Sequence, residues 1–133
     1  MTTILEHRGP ERTGQWREGP LALGHTLLAT TPELLFERQP FRHAETGCVI
    51  TADVRLDNRT ELIHALTPGR HPDSIGDAEL ILFSYLEWGE DCPMKLLGDF
   101  AFALWDPGDN WVFCARDHFG MRPVYYLHSP GRR

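Results

Sequence analysis

Leu96 to Tyr126 reads LLGDFAFALWD, then PGDN, then WVFCARDHFGMRPVYY, and no other part of the chain constrains the architecture as strongly. Two apolar strands flank a four-residue turn. The second strand runs into a polar string, Arg116-Asp117-His118-Phe119-Gly120. On the first strand Phe100, Phe102 and Leu104 share one side and Ala101, Ala103 and Trp105 the other, because side chains alternate along a strand. A strand apolar on both sides is expected to be covered on both sides. The hairpin is therefore predicted to lie in the middle of a layered protein.

Working outward, the other segments are shorter and more polar. Met1–Glu6 reads as the tail of a helix, and His7-Arg8-Gly9-Pro10 as a turn. Strands are predicted at Gly14–Arg17 and Leu21–Ala29, joined through Glu18-Gly19-Pro20. Thr30–Glu45 is polar and irregular, with Pro32 and Pro40 excluding regular elements. Cys48–Val54 is rich in β-formers. Asn58-Arg59-Thr60-Glu61 places a capping residue three before a glutamate, which starts a helix carrying Leu62, Ile63 and Leu66 on one side. Thr67–Ile75 is a loop. Asp77 is read as the cap of a second helix, Ala78–Trp88, which Gly89 ends. Pro93–Leu97 is a short third helix. A last strand is expected at Val124–Leu127 and a frayed tail at Ser129–Arg133. Strands, then helices, then strands favour two stacked antiparallel sheets with helices outside over a doubly wound parallel sheet.

Bulk properties exclude several functions. The 133 residues make one domain (1–133) of ordinary soluble composition, 41% hydrophobic and 24% charged. The net charge of −6 comes with no basic stripe, so nucleic acid is not expected as a partner. No apolar run approaches the roughly 20 residues of a membrane span, and no basic-then-apolar leader is present. Cys48, Cys92 and Cys114 are odd in number and widely spaced, as expected of reduced thiols in the cytoplasm; Cys114, in a strand pattern, is assigned to the core. The seven histidines show no ligand spacing, so no metal is expected.

The residues capable of chemistry are few. Asp53, Arg55 and Asp57 alternate along a strand and share a side, as a polar binding patch or, preferably, a solvated sheet face. Arg116 and Asp117 are placed to pin the hairpin. Cys92 has Glu87, Glu90 and Asp91 as acidic neighbours, which would raise its pKa and blunt it as a nucleophile.

HRGPERTGQW, LGH, Gln39-Pro40, SIGDAELIL, YLEWGED, LLGDFAFALWD and ARDHFGMRPVYY occur in this order from Leu5 to Tyr126. Together they resemble the N-terminal glutaminase domain of asparagine synthetases, a class II glutamine amidotransferase of the N-terminal-nucleophile hydrolase type. The resemblance implies an α+β fold, a four-layer αββα sandwich of two antiparallel sheets. It also implies an N-terminal cysteine that attacks the amide of glutamine with its own amino group as base. An arginine and an aspartate would grip the substrate, and an Asn-Gly pair would form the oxyanion hole.

The sequence departs from that pattern at most of these positions. The family starts Met-Cys-Gly-Ile and reaches His-Arg-Gly-Pro after a strand and a helix, whereas here His7 lies near the start, so the first strand is expected to be lacking. Leu27 stands where the family has its arginine. Asp53, Val54 and Arg55 stand where it has Asn-Gly-Glu, which puts a negative charge beside a developing oxyanion, a repulsion of about 4 kcal/mol at 4 Å and an effective dielectric of 20. Asp77 alone of the glutamine-contact set matches, within Gly76-Asp77-Ala78-Glu79. Thr2, exposed by loss of Met1, is a substitute nucleophile in chemistry but falls in a helix by alignment.

The resemblance thus implies a degenerate glutaminase domain, catalytic residues none, substrate contact Asp77, no metal and no cofactor in this chain. Its implied partners are a synthetase (ATP-pyrophosphatase) domain or protein, of the asparagine synthetase, β-lactam synthetase or lasso-cyclase type, and glutamine itself. The alternative is an active glutamine amidohydrolase supplying ammonia for asparagine synthesis, if the true start lies upstream.

Overall fold

The computed structural model describes residues 2–29, 34 and 36–128; the tail predicted at Ser129–Arg133 and the start of the Thr30–Glu45 loop lie outside them. A one-turn helix α1 (Thr2–Leu5) leads into the antiparallel ribbon β1 (Arg12–Glu18) and β2 (Leu21–Leu27). After the loop come β3 (Phe41–Arg42) and β4 (Val49–Leu56), then α2 (Arg59–Leu66) and α3 (Asp77–Trp88). A 3₁₀ segment (Gly89–Lys95) connects α3 to the hairpin β5 (Gly98–Asp106) and β6 (Trp111–Arg116). The four later strands form one antiparallel sheet in the order β3-β4-β5-β6. The fold is α+β, with two antiparallel sheets and helices stacked in layers.

The alternation on β5 predicts the core correctly on one side. Phe100, Phe102 and Leu104 are buried, in register with Val54, Ala52 and Ile50 of β4. Onto them pack Leu62 and Ile63 of α2 and Ala78, Ile81, Leu82 and Tyr85 of α3. The other side differs from expectation: Ala101, Ala103 and Trp105 are only half-buried. The two-stranded ribbon reaches this side at β4, where the His25 ring meets the Thr51 hydroxyl at 3.4 Å, and it is too narrow to cover β5 and β6. On the ribbon's outer face lies α1, whose Thr2 hydroxyl accepts a 2.5 Å bond from the Gln15 amide.

Three further expectations are corrected. Cys114 is exposed rather than core, because its position on β6 points to this uncovered side, in the row of Ala103. Val124–Leu127 forms no strand; β-propensity alone supplies no neighbouring strand edge. The third helix is 3₁₀ and ends at Lys95, with Pro93 inside it removing one backbone donor. Among the described residues no helix is long and apolar enough to cross a membrane.

The hairpin is fixed at both ends. In its turn Asn110 takes a positive φ of 55°, and the Asp106 carboxylate accepts the Gly108 N–H at 2.8 Å and the Tyr85 hydroxyl at 2.9 Å. Beyond β6, the buried Asp117 carboxylate accepts the N–H groups of Met121 and Arg122 at 2.9 and 3.1 Å. Burial pushes this carboxyl up, and those N–H donors outweigh it, holding it below its ordinary range. The predicted pinning role thus falls to Asp117. At the start of β5, Gly98 has φ 135°, and a Cβ there would lie 2.1 Å from the Arg55 carbonyl oxygen. Gly98→Ala is expected to cost about 3 kcal/mol, the upper range for a forbidden backbone conformation. A urea midpoint indistinguishable from the unsubstituted chain would show that β4 and β5 part without cost.

Candidate functional site

Polar groups that sequence reading scattered over four segments converge where α3 begins. Gly76, not Asp77, takes the N-cap position, and Asp77 is the first residue of the helix; the cap predicted at Asp77 is corrected by one residue. The Asp77 carboxylate turns to the end of β4. One oxygen accepts the Leu56 N–H at 2.9 Å, and the other pairs with the Arg59 guanidinium. Arg59 also donates to the carbonyls of Ile75 at 2.7 Å and Pro72 at 3.0 Å. The only family-matching contact residue is thus buried, 6% exposed, and internally engaged.

Beside it lies a second buried acid that the sequence reading did not single out. Glu37 accepts the Ala78 N–H at 2.7 Å and the Gln39 amide at 3.3 Å through one oxygen. Its other oxygen is buried without a partner. Burial, with Asp77 adding repulsion, outweighs the hydrogen bonds and Arg59 and pushes this carboxyl up to about 7. Gly76 permits the approach: a Cβ there would stand 2.8 Å from Glu37 Cγ.

These side chains take the place of a neighbouring strand. β3 pairs with β4 only at Val49 and Ile50. Further along, the Gln39 amide accepts the Ala52 N–H at 2.6 Å and donates to the Ala52 carbonyl at 3.0 Å, and Asp77 takes the Leu56 N–H. Antiparallel alternation puts the Val54 N–H on this same edge, between Gln39 and Asp77. The backbone N–H of Val54, in the predicted oxyanion position, therefore points toward an edge flanked by the Gln39 amide and the Asp77 carboxylate. A cavity of about 260 Å³ opens next to it, lined by Phe36, Glu37, Phe41, Ser74, Gly76 and Glu79 among others.

The remaining candidates do not join this cluster. Asp53 lies on the other side of β4, its side chain 63% exposed and 3.5 Å from Arg122. In water-like surroundings its repulsion of an anion at 4 Å falls to about 1 kcal/mol, less than the sequence-based figure. Arg55 and Asp57 pair with each other at 3.0 Å in solvent, so the solvated-face reading of that strand holds. Thr2 sits on the outer face of the ribbon, remote from α3. Of the thiols, Cys92 is fully buried, and burial first and Asp91 second push it up to about 12; the acidic neighbours invoked from sequence are the lesser cause. Cys48 is also buried and raised, at the opposite end of β4 from Asp77. Cys114 is raised by partial burial. Among the described residues no three His, Cys, Asp or Glu side chains gather as a metal site.

A family model described as a glutamine amidotransferase domain matches residues 1–133. The chain belongs to the glutamine amidotransferase family. Within it, this domain is of the class II, asparagine synthetase kind. It is 37% identical over 129 residues, 95% of its length, to asparagine synthetase [glutamine-hydrolyzing] 3 of Bacillus subtilis. It is 32% identical over 139 residues to a putative asparagine synthetase [glutamine-hydrolyzing] of Mycobacterium bovis, and 26% identical over 129 residues to amidase chyE of Penicillium rubens. The chain spans about a fifth of these relatives: 21%, 21% and 19% of their lengths.

Proposed function

We propose that this chain is a glutamine-amidotransferase-type domain that does not hydrolyse glutamine and serves as a scaffold for an ATP-dependent, amide-forming synthetase. The observation that carries this reading is the closed state of Asp77. A residue that holds a substrate ammonium must be reachable by it. Here Asp77 is buried, with Arg59 on one oxygen and the Leu56 N–H on the other, and drawing the carboxylate out leaves a guanidinium uncompensated in a largely buried setting. The raised thiols add support, since a nucleophilic cysteine needs a lowered pKa and access. The partner fits by family: the relatives are asparagine synthetases about five times this length.

Ammonia release from glutamine by the purified chain is the direct test. The expected rate equals that of a heat-inactivated control, and release well above it overturns the inactive half of the proposal. The names of the relatives favour a second reading, an active glutamine hydrolase. A longer form starting Met-Cys-Gly that releases ammonia, beside a silent 133-residue form, would establish it.

A further inference from the structure

Residues 37–39 form a short strap with fastenings on three separate elements. The Glu37 carboxylate takes the Ala78 N–H at the start of α3, at 2.7 Å. The Gln39 amide pairs with both backbone groups of Ala52 on the β4 edge, at 2.6 and 3.0 Å. From the ribbon, the Arg12 guanidinium donates to the Glu37 carbonyl at 2.6 Å. The fastenings are joined to one another, since the Gln39 amide also donates to the Glu37 carboxylate at 3.3 Å. The strap belongs to no helix or strand.

One fastening depends on a proton. Protonated, Glu37 is neutral and can stay where it is, 7% exposed. Ionised, it is a charge with one oxygen buried and unpartnered, and a buried charge needs an opposite charge and filled hydrogen-bond positions. The charges around it do not meet that need. α3 presents Asp77 and Glu79, both of like sign, with Glu79 paired to Arg70, and the Pro72–Ser74 turn presents Asp73 at the same cavity. α2 presents Arg59, which is committed to Asp77 and to the carbonyls of Pro72 and Ile75. β1 presents Arg12, whose 2.6 Å bond goes to the Glu37 main chain. Arg38, on the strap itself, is exposed. The Ala78 N–H and the helix N-terminus favour the anion. Burial first, with Asp77 adding to it, outweighs them and pushes the carboxyl up to about 7.

We propose that residues 37–39 are a pH-operated strap: when Glu37 ionises, the strap releases the start of α3 and the β4 edge while the sheets and helices stay folded. Closed, it shields the Ala78 N–H and the backbone pair of Ala52. Released, it bares a stretch of unpaired strand backbone beside Asp77. The closed strap holds the Glu37 proton more tightly than the released one. Release therefore rises with pH between 4.5 and about 7 and levels off above 7.

Amide hydrogen exchange followed by NMR tests it, each rate being compared with that of the same amide in an unstructured peptide at the same pH. The Ala78 and Ala52 amides are expected to exchange faster than that of Leu82, which is fully buried in the middle of α3 and reports unfolding of the whole chain. From pH 5 to 8 their protection should fall about 70-fold, the change produced when a carboxyl at about 7 returns to 4.5 on release. Glu37→Gln keeps an acceptor for Ala78 and cannot ionise, so both protections should hold within about twofold over that range. Glu79→Gln, at the neighbouring acid, should keep the fall of the parent. Melting curves check that the variants fold. Ala78 and Ala52 amides that never exchange faster than Leu82 overturn the proposal. So does a protection that does not change with pH, a fall that persists in Glu37→Gln, or one that disappears in Glu79→Gln.

Discussion

Asp77→Ala is expected to remove about 4 kcal/mol of stability, the loss typical when one partner of a buried ion pair is deleted. The Arg59 side chain is 18% exposed and that of Asp77 8%, so water cannot replace the lost carboxylate. Two further groups share the penalty. The Leu56 N–H loses its acceptor, at about 1–3 kcal/mol for a buried donor, and Arg59 no longer holds the Ile75 carbonyl firmly. Since a domain of this size has only about 5–15 kcal/mol in total, urea denaturation at neutral pH should detect the change easily. Asp77→Asn keeps an acceptor for Leu56 and should lose less. Combining Asp77→Leu with Arg59→Met removes both charges and should recover part of the loss, because the cost lies in the stranded guanidinium. The same measurement separates structure from function. Residues held ready for a ligand tend to be destabilising, and their removal often raises stability. A gain on Asp77→Ala would overturn the closed-site reading and the scaffold proposal with it.

The layered fold is legible because β5 is apolar on both sides over most of its nine residues, although only the Phe100, Phe102 and Leu104 side is fully buried. Helix α3 was legible from its length and from Gly89, which stops it. What escaped depends on partners distant in sequence. Asp before an apolar helix usually caps it, so the sequence points Asp77 to that role, and no local signal discloses Leu56 and Arg59, 21 and 18 residues away. Glu37 was hidden in a loop read as polar and irregular, since a lone glutamate is exposed by default. Its one available clue is Gln39-Pro40, a pair in that loop that belongs to the family resemblance. The structure gives Gln39 a strand-like pair with Ala52, which draws Glu37 inward two residues earlier. Val124–Leu127 shows the converse: composition specifies a strand-former, and only a neighbouring edge makes a strand.

The pH dependence of stability should carry the signature of Glu37. Its carboxyl rises from 4.5 to about 7 on folding, so between those values the folded chain holds a proton that the unfolded chain has released. Stability from this group is fully present below pH 4.5 and is lost as pH rises through 7, by about 3 kcal/mol in all. His25 works in the opposite direction. Burial lowers it below 6.5 against the milder pull of Asp53, so its contribution is present above pH 6.5 and fades as the solution becomes more acidic. The two slopes overlap, and the unsubstituted chain shows only their sum. Glu37→Gln separates them. A neutral amide can still accept the Ala78 N–H and never ionises, so this variant should show only the His25 slope, stability rising from pH 5 and then level, without the fall that Glu37 gives the parent. The gap between the two curves should be small at pH 5 and approach about 3 kcal/mol at pH 8. Parallel curves across that range would place the Glu37 carboxylate in contact with water, and the cluster around α3 would then be open to solvent after all.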